Sequence, residues 1–263
     1  MPELPEVETV VRSLAPRLTG RRILRARFSS RHVVRQSFRT LAAKLAGRTV
    51  HEVGRHGKFI VVRLDRGTLV IHLGMTGKLL FDAATGPHTR AVFELDDGVL
   101  LYDDPRQFGR IEWAPELPPR VARLGPDALS VSEADFLDRM RRRNARIKSL
   151  LLNQSFIRGM GNIYADEALY QAGIHPRAIA SRVSAERGRR LYRAMIDALR
   201  AAIASKGSSI SDYVDAEGQR GSFQDMHQVY GREGKKCARC GAPIRRVVIA
   251  GRSAHYCPRC QRS

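Results

Sequence analysis

The stretch Phe59-Ile-Val-Val-Arg-Leu-Asp-Arg-Gly-Thr-Leu-Val-Ile-His-Leu73 decides the fold class. Two short runs rich in β-branched residues flank Asp65-Arg66-Gly67, a hairpin-type turn, so the segment reads as two antiparallel strands. The pattern extends both ways. Ile23–Phe28 and Thr49–Gly54 precede it; Ala91–Leu95, Val99–Tyr102 and Ile111–Trp113 follow, with another turn at Asp96-Asp97-Gly98. So many short strands predict a two-sheet sandwich. Arg39–Leu45 reads as a short helix between strands. Ahead of them, Val7, Val10, Val11 and Leu14 fall at i, i+3, i+4 and i+7, one apolar helical stripe. Pro5 suits the first helical turn, and Glu3, Glu6 and Glu8 complement the positive end of the helix. Pro16 and Gly20 mark its expected end.

After Trp113 the pattern changes. Pro115, Pro118, Pro119, Gly125 and Pro126 mark residues 115–130 as a linker. Helical periodicity follows over Glu133–Arg143, Ala145–Leu152, Asn162–Ala172 and Ser184–Ser205. Ser132 with Asp135 has the form of a capping box with Asp in the Glu position. A loop rich in Gly, Ser and Gln spans residues 207–226. The expected class is α+β: a β-sandwich with a leading helix over 2–114, a helical domain over 131–227, and a four-cysteine hairpin over 228–263.

The chain has 263 residues, enough for one large or two ordinary domains. Hydrophobic residues are 43% and charged residues 27%, which excludes collagen-like, low-complexity and wholly disordered classes. No apolar run approaches the roughly 20 residues of a membrane span. Met1-Pro2-Glu3-Leu4-Pro5-Glu6 is acidic and carries no apolar core of signal-peptide length, so a cytoplasmic location is expected. Forty-six basic against 26 acidic residues leave a net charge of +20. That excess points to a polyanionic partner, nucleic acid first and an anionic membrane surface second. Only seven of the basic residues are lysine, and arginine suits bidentate phosphate and base contacts. Aromatics are 6%, with Trp113 the single tryptophan, too thin for a single-strand stacking platform, so duplex is favoured.

The four cysteines stand as Cys237-x2-Cys240-x16-Cys257-x2-Cys260. This spacing fits a tetrahedral zinc site; two disulfides in a secreted tail are the alternative. Four thiolates would close the coordination sphere, so the metal would fold the segment and do no chemistry. Residues 231–263 carry nine Lys or Arg against Glu233 alone, the charge of a phosphate-binding module.

Pro2 becomes a free secondary amine if Met1 is trimmed, as a small second residue favours. An α-amine titrates near 7.7–8.0, leaving a neutral, nucleophilic fraction at physiological pH. Glu3 beside it can donate a proton if its pKa is raised.

Six motifs stand in order: Met1-Pro-Glu-Leu-Pro-Glu-Val-Glu-Thr9, His72-Leu-Gly-Met-Thr-Gly77, Asp104-Pro-Arg-Gln-Phe-Gly109, Gly161-Asn-Ile-Tyr-Ala-Asp-Glu167, Tyr230-Gly-Arg-Glu-Gly234 and Gly251-Arg-Ser-Ala-His-Tyr-Cys257. With the cysteine spacing they resemble the bacterial formamidopyrimidine-DNA glycosylases (8-oxoguanine DNA glycosylases) from residue 2 to the last cysteine. The resemblance implies a helix–two-turn–helix element over roughly 145–172 and one structural Zn2+. It implies a bifunctional glycosylase and lyase acting on duplex DNA with oxidised purines or abasic sites, as a nucleoid-associated monomer.

By the same resemblance, Pro2 attacks the deoxyribose C1′, the base leaves, and an iminium forms that drives β- and δ-elimination. Glu3 protonates the sugar ring oxygen, and Glu6 lies close to the reacting sugar. Lys58 and Arg252 grip phosphates beside the lesion, with Asn162, His72 and Tyr230 adding contacts. A duplex base must be swung out to be attacked; Met75, Arg106 and Phe108 match the residues that fill the void. Read without the resemblance, Met75 and Phe108 suit a core better than a wedge. Gln107 stands where the family often has a basic residue, and the loop 215–224 with Gln219 occupies the lesion-recognition position. Two rivals remain: an endonuclease VIII-type enzyme for oxidised pyrimidines, against which Leu4 and the Arg106/Phe108 pair argue, and a non-catalytic zinc-dependent DNA-binding protein.

Overall fold

A computed structural model describes residues 1–210 and 213–262. The chain divides into two compact units: Met1–Arg123 with Ser205–Ser222, and Leu124–Ala204 with Phe223–Ser263. The segment 205–222, which the sequence pattern groups with the helical domain, thus belongs to the first unit. Among the described residues no helix is long and apolar enough to cross a membrane.

The first unit opens with helix α1 (Leu4–Leu18), whose predicted stripe Val7, Val10, Val11 and Leu14 is buried. The helix runs through Pro16, where an end was expected. Proline removes one backbone bond, to the carbonyl of exposed Arg12, while Leu14 and Leu18 on either side are buried. Burying two leucines offsets one bond left to water. Strand β1 (Arg22–Phe28), helix α2 (Phe38–Leu45) and strands β2 (Arg48–His56), β3 (Phe59–Leu64) and β4 (Thr68–His72) follow. Then come β5 (Lys78–Phe81), β6 (Thr89–Leu95), β7 (Val99–Asp103), β8 (Arg110–Ala114) and a short helix α3 (Pro119–Ala122) inside the expected linker. The pattern did not reveal β5: it is a four-residue edge strand paired with β7 alone, and only Leu79 is buried.

These strands form one hydrogen-bonded ladder, β5-β7-β6-β1-β2-β3-β4-β8. The sandwich arises because the ladder folds over at β1–β2. That pair shares only Arg22↔Thr49 and Ile23↔Arg48, whereas β3 and β4 pair over five residues. Register shifts at Ile23/Arg25 and Val50/Glu52 flank the joint, as bulges do where strands bend. Side chains from both halves, Phe93, Leu95 and Leu100 on one and Val62, Leu69 and Ile71 on the other, line one apolar cavity with Leu14 and Leu18.

The second unit contains α4 (Glu133–Arg141), α5 (Ile147–Leu152), α6 (Asn162–Ala172) and α7 (Ala185–Ala204), then the hairpin β9 (Arg245–Ile249) and β10 (Arg252–Tyr256). Ser132 Oγ caps α4 by accepting the Asp135 N–H at 3.1 Å. Helix α6 is buried almost all round, including Tyr164, Asp166, Glu167 and Tyr170.

Candidate functional site

In the first unit, Pro2, Glu3 and Glu6 gather at the start of α1. All three are buried, whereas Met1 ahead of them is exposed. Glu6 Oε2 accepts the Glu3 backbone N–H at 2.8 Å, the reach-back half of a capping box. Its Oε1 accepts the Ser208 N–H at 2.8 Å, and the Tyr213 hydroxyl donates to the Glu6 carbonyl at 3.2 Å. Burial pushes the Tyr213 phenol up, and Glu6 beside it pushes the same way. Gly207 makes this approach possible: its φ is +82°, and a Cβ there would sit 2.9 Å from Glu6 Oε1.

Lys58 occupies the β2–β3 turn, after Gly57 at φ +62° and between the paired residues His56 and Phe59. A first turn residue at positive φ suits a two-residue hairpin loop, and only glycine adopts it freely. Lys58 is buried. Arg55, which sequence reasoning passed over, positions this turn. Its Nε donates to Glu8 Oε2 on α1 at 2.8 Å, and a terminal nitrogen donates to the Gly57 carbonyl at 3.1 Å. The only sequence signal is its place in Arg55-His-Gly-Lys.

His72 faces this turn from β4, paired with Phe59, the two rings 4.9 Å apart. Burial lowers its pKa to about 4, helped by the positive charges of Lys58, Arg120 and Arg110. The ring is therefore neutral near pH 7. Its Nδ1 accepts the Gly74 N–H at 3.1 Å, leaving the proton on Nε2.

Met75, Arg106 and Phe108 are all exposed. The core reading of Met75 and Phe108 therefore fails. Phe108 is 54% exposed, and the Arg106 guanidinium lies 4.7 Å over its ring. Their two loops interlock backbone to backbone. A Cβ on Gly74 would meet Gly109 N and Phe108 C at 2.5 Å, so no larger residue fits. Fully buried Asp104 clamps both loops, accepting the Thr76 hydroxyl at 2.6 Å and the Gly109 N–H at 2.8 Å. Gln107 sits at φ +56°, and the Ser30 hydroxyl donates to its Oε1 at 2.5 Å. In the loop 215–224, buried Asp215 accepts the Gln219 N–H at 2.8 Å and leaves the Gln219 side chain exposed.

In the second unit, Asn162 opens α6 behind Gly161, which has no side chain to cover the positive helix end. Asn162 Nδ2 donates to Ser253 Oγ at 3.4 Å, and among the described residues its buried Oδ1 finds no partner. Arg252, beside Ser253, is exposed at the start of β10, after Ala250 and Gly251 at positive φ. Two consecutive positive φ values turn the hairpin tightly. Buried Lys148 holds the hairpin to α6, donating to Asp166 Oδ1 and to the Ser253 carbonyl, both at 2.5 Å. Tyr230 packs edge-on against His255 at 5.1 Å, and Glu167 accepts its N–H at 2.9 Å.

The Sγ atoms of Cys237, Cys240, Cys257 and Cys260 all lie within 4.8 Å of one another. The Cys240–Cys257 and Cys237–Cys260 separations are 3.4 and 3.9 Å, far beyond the roughly 2.05 Å of an S–S bond. Four thiols around one point fit a tetrahedral zinc, whose Zn–S bonds of about 2.3 Å place its ligands a little under 4 Å apart. The chain therefore holds one structural zinc.

Comparison with known proteins covers the whole chain. Residues 1–111 match the formamidopyrimidine-DNA glycosylase N-terminal domain, 124–214 the H2TH domain of the same enzymes, and 234–262 the zinc finger found in FPG and IleRS. The chain is 58% identical to formamidopyrimidine-DNA glycosylase of Solibacter usitatus and 47% identical to that of Heliobacterium modesticaldum, each over 100% of both chains. Among solved structures, Lactococcus lactis Fpg in complex with abasic-site DNA superposes with a TM-score of 0.91 at 35% identity, covering 99% of this chain and 100% of that one. The Thermus thermophilus protein gives 0.90 at 41% identity, covering 99% and 98%.

Proposed function

The chain belongs to the formamidopyrimidine-DNA glycosylase family, and from that membership we propose how its residues act. It is a base-excision repair glycosylase that removes oxidised purines, 8-oxoguanine and formamidopyrimidines, from DNA. The observation that carries the chemistry is the burial of Pro2, directly ahead of Glu3 and the Glu6-capped turn.

Once Met1 is removed, the Pro2 nitrogen attacks C1′ of the damaged nucleotide. The electrons of the C1′–N bond leave with the base. Glu3 protonates the ring oxygen, the sugar opens, and the nitrogen lone pair forms an iminium with C1′. That cation acidifies the C2′ hydrogen. Its removal expels the 3′ phosphate, and a second elimination expels the 5′ phosphate, so the enzyme is also a β,δ-lyase. Glu6 holds the first turn of α1 in place for this sequence. Lys58, Arg252, Asn162, neutral His72 and Tyr230 bind backbone phosphates. Met75, Arg106 and Phe108 enter the duplex where the flipped nucleotide was, as apolar wedges do when bases unstack. The zinc, bound by Cys237, Cys240, Cys257 and Cys260, folds the hairpin that presents Arg252. The enzyme works as a monomer on nucleoid DNA in the bacterial cytoplasm. The division of labour follows 2–114, with 205–222 returning to it, for chemistry, 115–130 as connector, the rest of 131–227 for helical DNA binding and 228–263 for the zinc hairpin.

Borohydride trapping on a duplex with 8-oxoguanine opposite cytosine tests this reading. A reduced protein–DNA adduct on Pro2, absent when Met1 is retained, is expected. An adduct on another amine, or trapping with Met1 in place, overturns the assignment. Faster processing of oxidised pyrimidines would instead identify an endonuclease VIII-type enzyme.

A further inference from the structure

One face of helix α6 meets the segment 228–256 that carries the hairpin. Asn162, Asp166, Glu167 and Tyr170 lie at i, i+4, i+5 and i+8, a single stripe. Asn162 donates to Ser253, and Asp166 accepts the His255 N–H at 2.9 Å. Glu167 accepts the N–H groups of Gln228, Val229 and Tyr230. The last member, Tyr170, reaches the metal centre: its hydroxyl lies 3.3 Å from Cys237 Sγ.

Four thiolates around Zn2+ carry a net charge of −2, which buried surroundings must stabilise with donors. A zinc-bound thiolate has no proton, so at this contact the hydroxyl is the donor. Tyr170 is 1% exposed and Cys237 3%, so water does not compete for the bond. The ring is held from its other side. The Arg239 guanidinium lies 4.4 Å from its centroid and donates to the Tyr170 carbonyl at 3.1 Å. Arg239 itself lies within the first cysteine knuckle. The contact thus joins the knuckle to the last turn of α6, the helix that carries Asn162 at its first turn.

We propose that Tyr170 is a positioning residue of the zinc centre: its hydroxyl donates to the Cys237 thiolate and slows loss of the metal. Phenylalanine keeps the ring and its packing while removing the donor. In the zinc-loaded full chain, Tyr170→Phe should release zinc to an excess of a chromophoric chelator roughly tenfold faster, the lower end of outer-layer effects on metal affinity. In the cobalt-substituted protein, the thiolate-to-metal charge-transfer band should move to longer wavelength, because a thiolate without its donor gives up charge more easily. The band belongs to the cobalt-bound population, so it reports on the bond even where some chains unfold. The proposal stands only if both readouts move. Faster release with an unmoved band assigns the effect to packing and overturns it. A moved band with unchanged release overturns the retention role, and no change in either removes the bond altogether.

Discussion

Glu6 ties the start of α1 to Ser208: its Oε1 accepts the Ser208 N–H at 2.8 Å while its Oε2 accepts that of Glu3 at the same distance. One buried carboxylate thus fixes the turn that carries Pro2 and also the segment returning to the first unit after α7. A side chain read from sequence as an acid beside the sugar is at the same time a structural clamp.

Glu6→Gln should break half of that clamp. An amide offers one acceptor oxygen, so one of the two N–H groups would face an N–H2. We expect the first unit to lose about 2 kcal/mol of unfolding free energy in urea, the cost of one buried unsatisfied group. An unchanged midpoint and slope would refute the tie.

Phe108→Ala and Asp104→Asn should separate surface function from support. Phe108 is exposed, so its truncation should change stability by no more than about 0.5 kcal/mol. Excision of 8-oxoguanine from duplex should nevertheless fall, while cleavage of an abasic site in a single strand should persist. Asp104→Asn removes one of two buried acceptors and should cost about 2 kcal/mol. A comparable stability loss from Phe108→Ala would return that residue to the core.

Acid should destabilise the first unit through His72. Its pKa is about 4 in the folded chain against an ordinary 6.5. Between those values the unfolded chain binds more protons, so stability rises with pH across the window and is lost as pH falls from 6.5 toward 4. His72→Gln should flatten the pH dependence of the denaturation midpoint over that window. An equally steep profile in the variant would show that other groups carry it.

Arg252→Ala should weaken binding to duplexes of any sequence and reduce the slope of log affinity against log salt by about one. Stripping zinc from the wild type should cause a larger loss, because Arg252 loses its hairpin together with the metal. Matching salt slopes for wild type and Arg252→Ala would rule out a phosphate contact.

Much of this molecule was legible locally. Hairpin turns, the α1 stripe, the exact span of α6 and the zinc ligands all follow from short-range periodicity, turn chemistry or cysteine spacing. Such signals are set by neighbours within a few residues, and so they survive without any knowledge of the fold. The edge strand β5 left no trace because a four-residue strand with one buried position has no alternation to read. Helix α1 continued through Pro16 because burial of Leu14 and Leu18, a long-range effect, outweighed a local stop signal.

The sites themselves depend on contacts distant in the chain. Composition and motif order pointed to nucleic acid and to the amine at Pro2. Composition and periodicity could not say that Met75 and Phe108 face solvent, since an apolar side chain in a loop reads as core until its neighbours are placed; only the family resemblance set them at the void. Nor could they find Arg55 bracing the Lys58 turn, Asp104 locking its own loop to Thr76, 28 residues away, or Tyr170 reaching Cys237. Each of those groups acquires its role from a partner brought near only when burial of the surrounding apolar surface makes the chain close on itself.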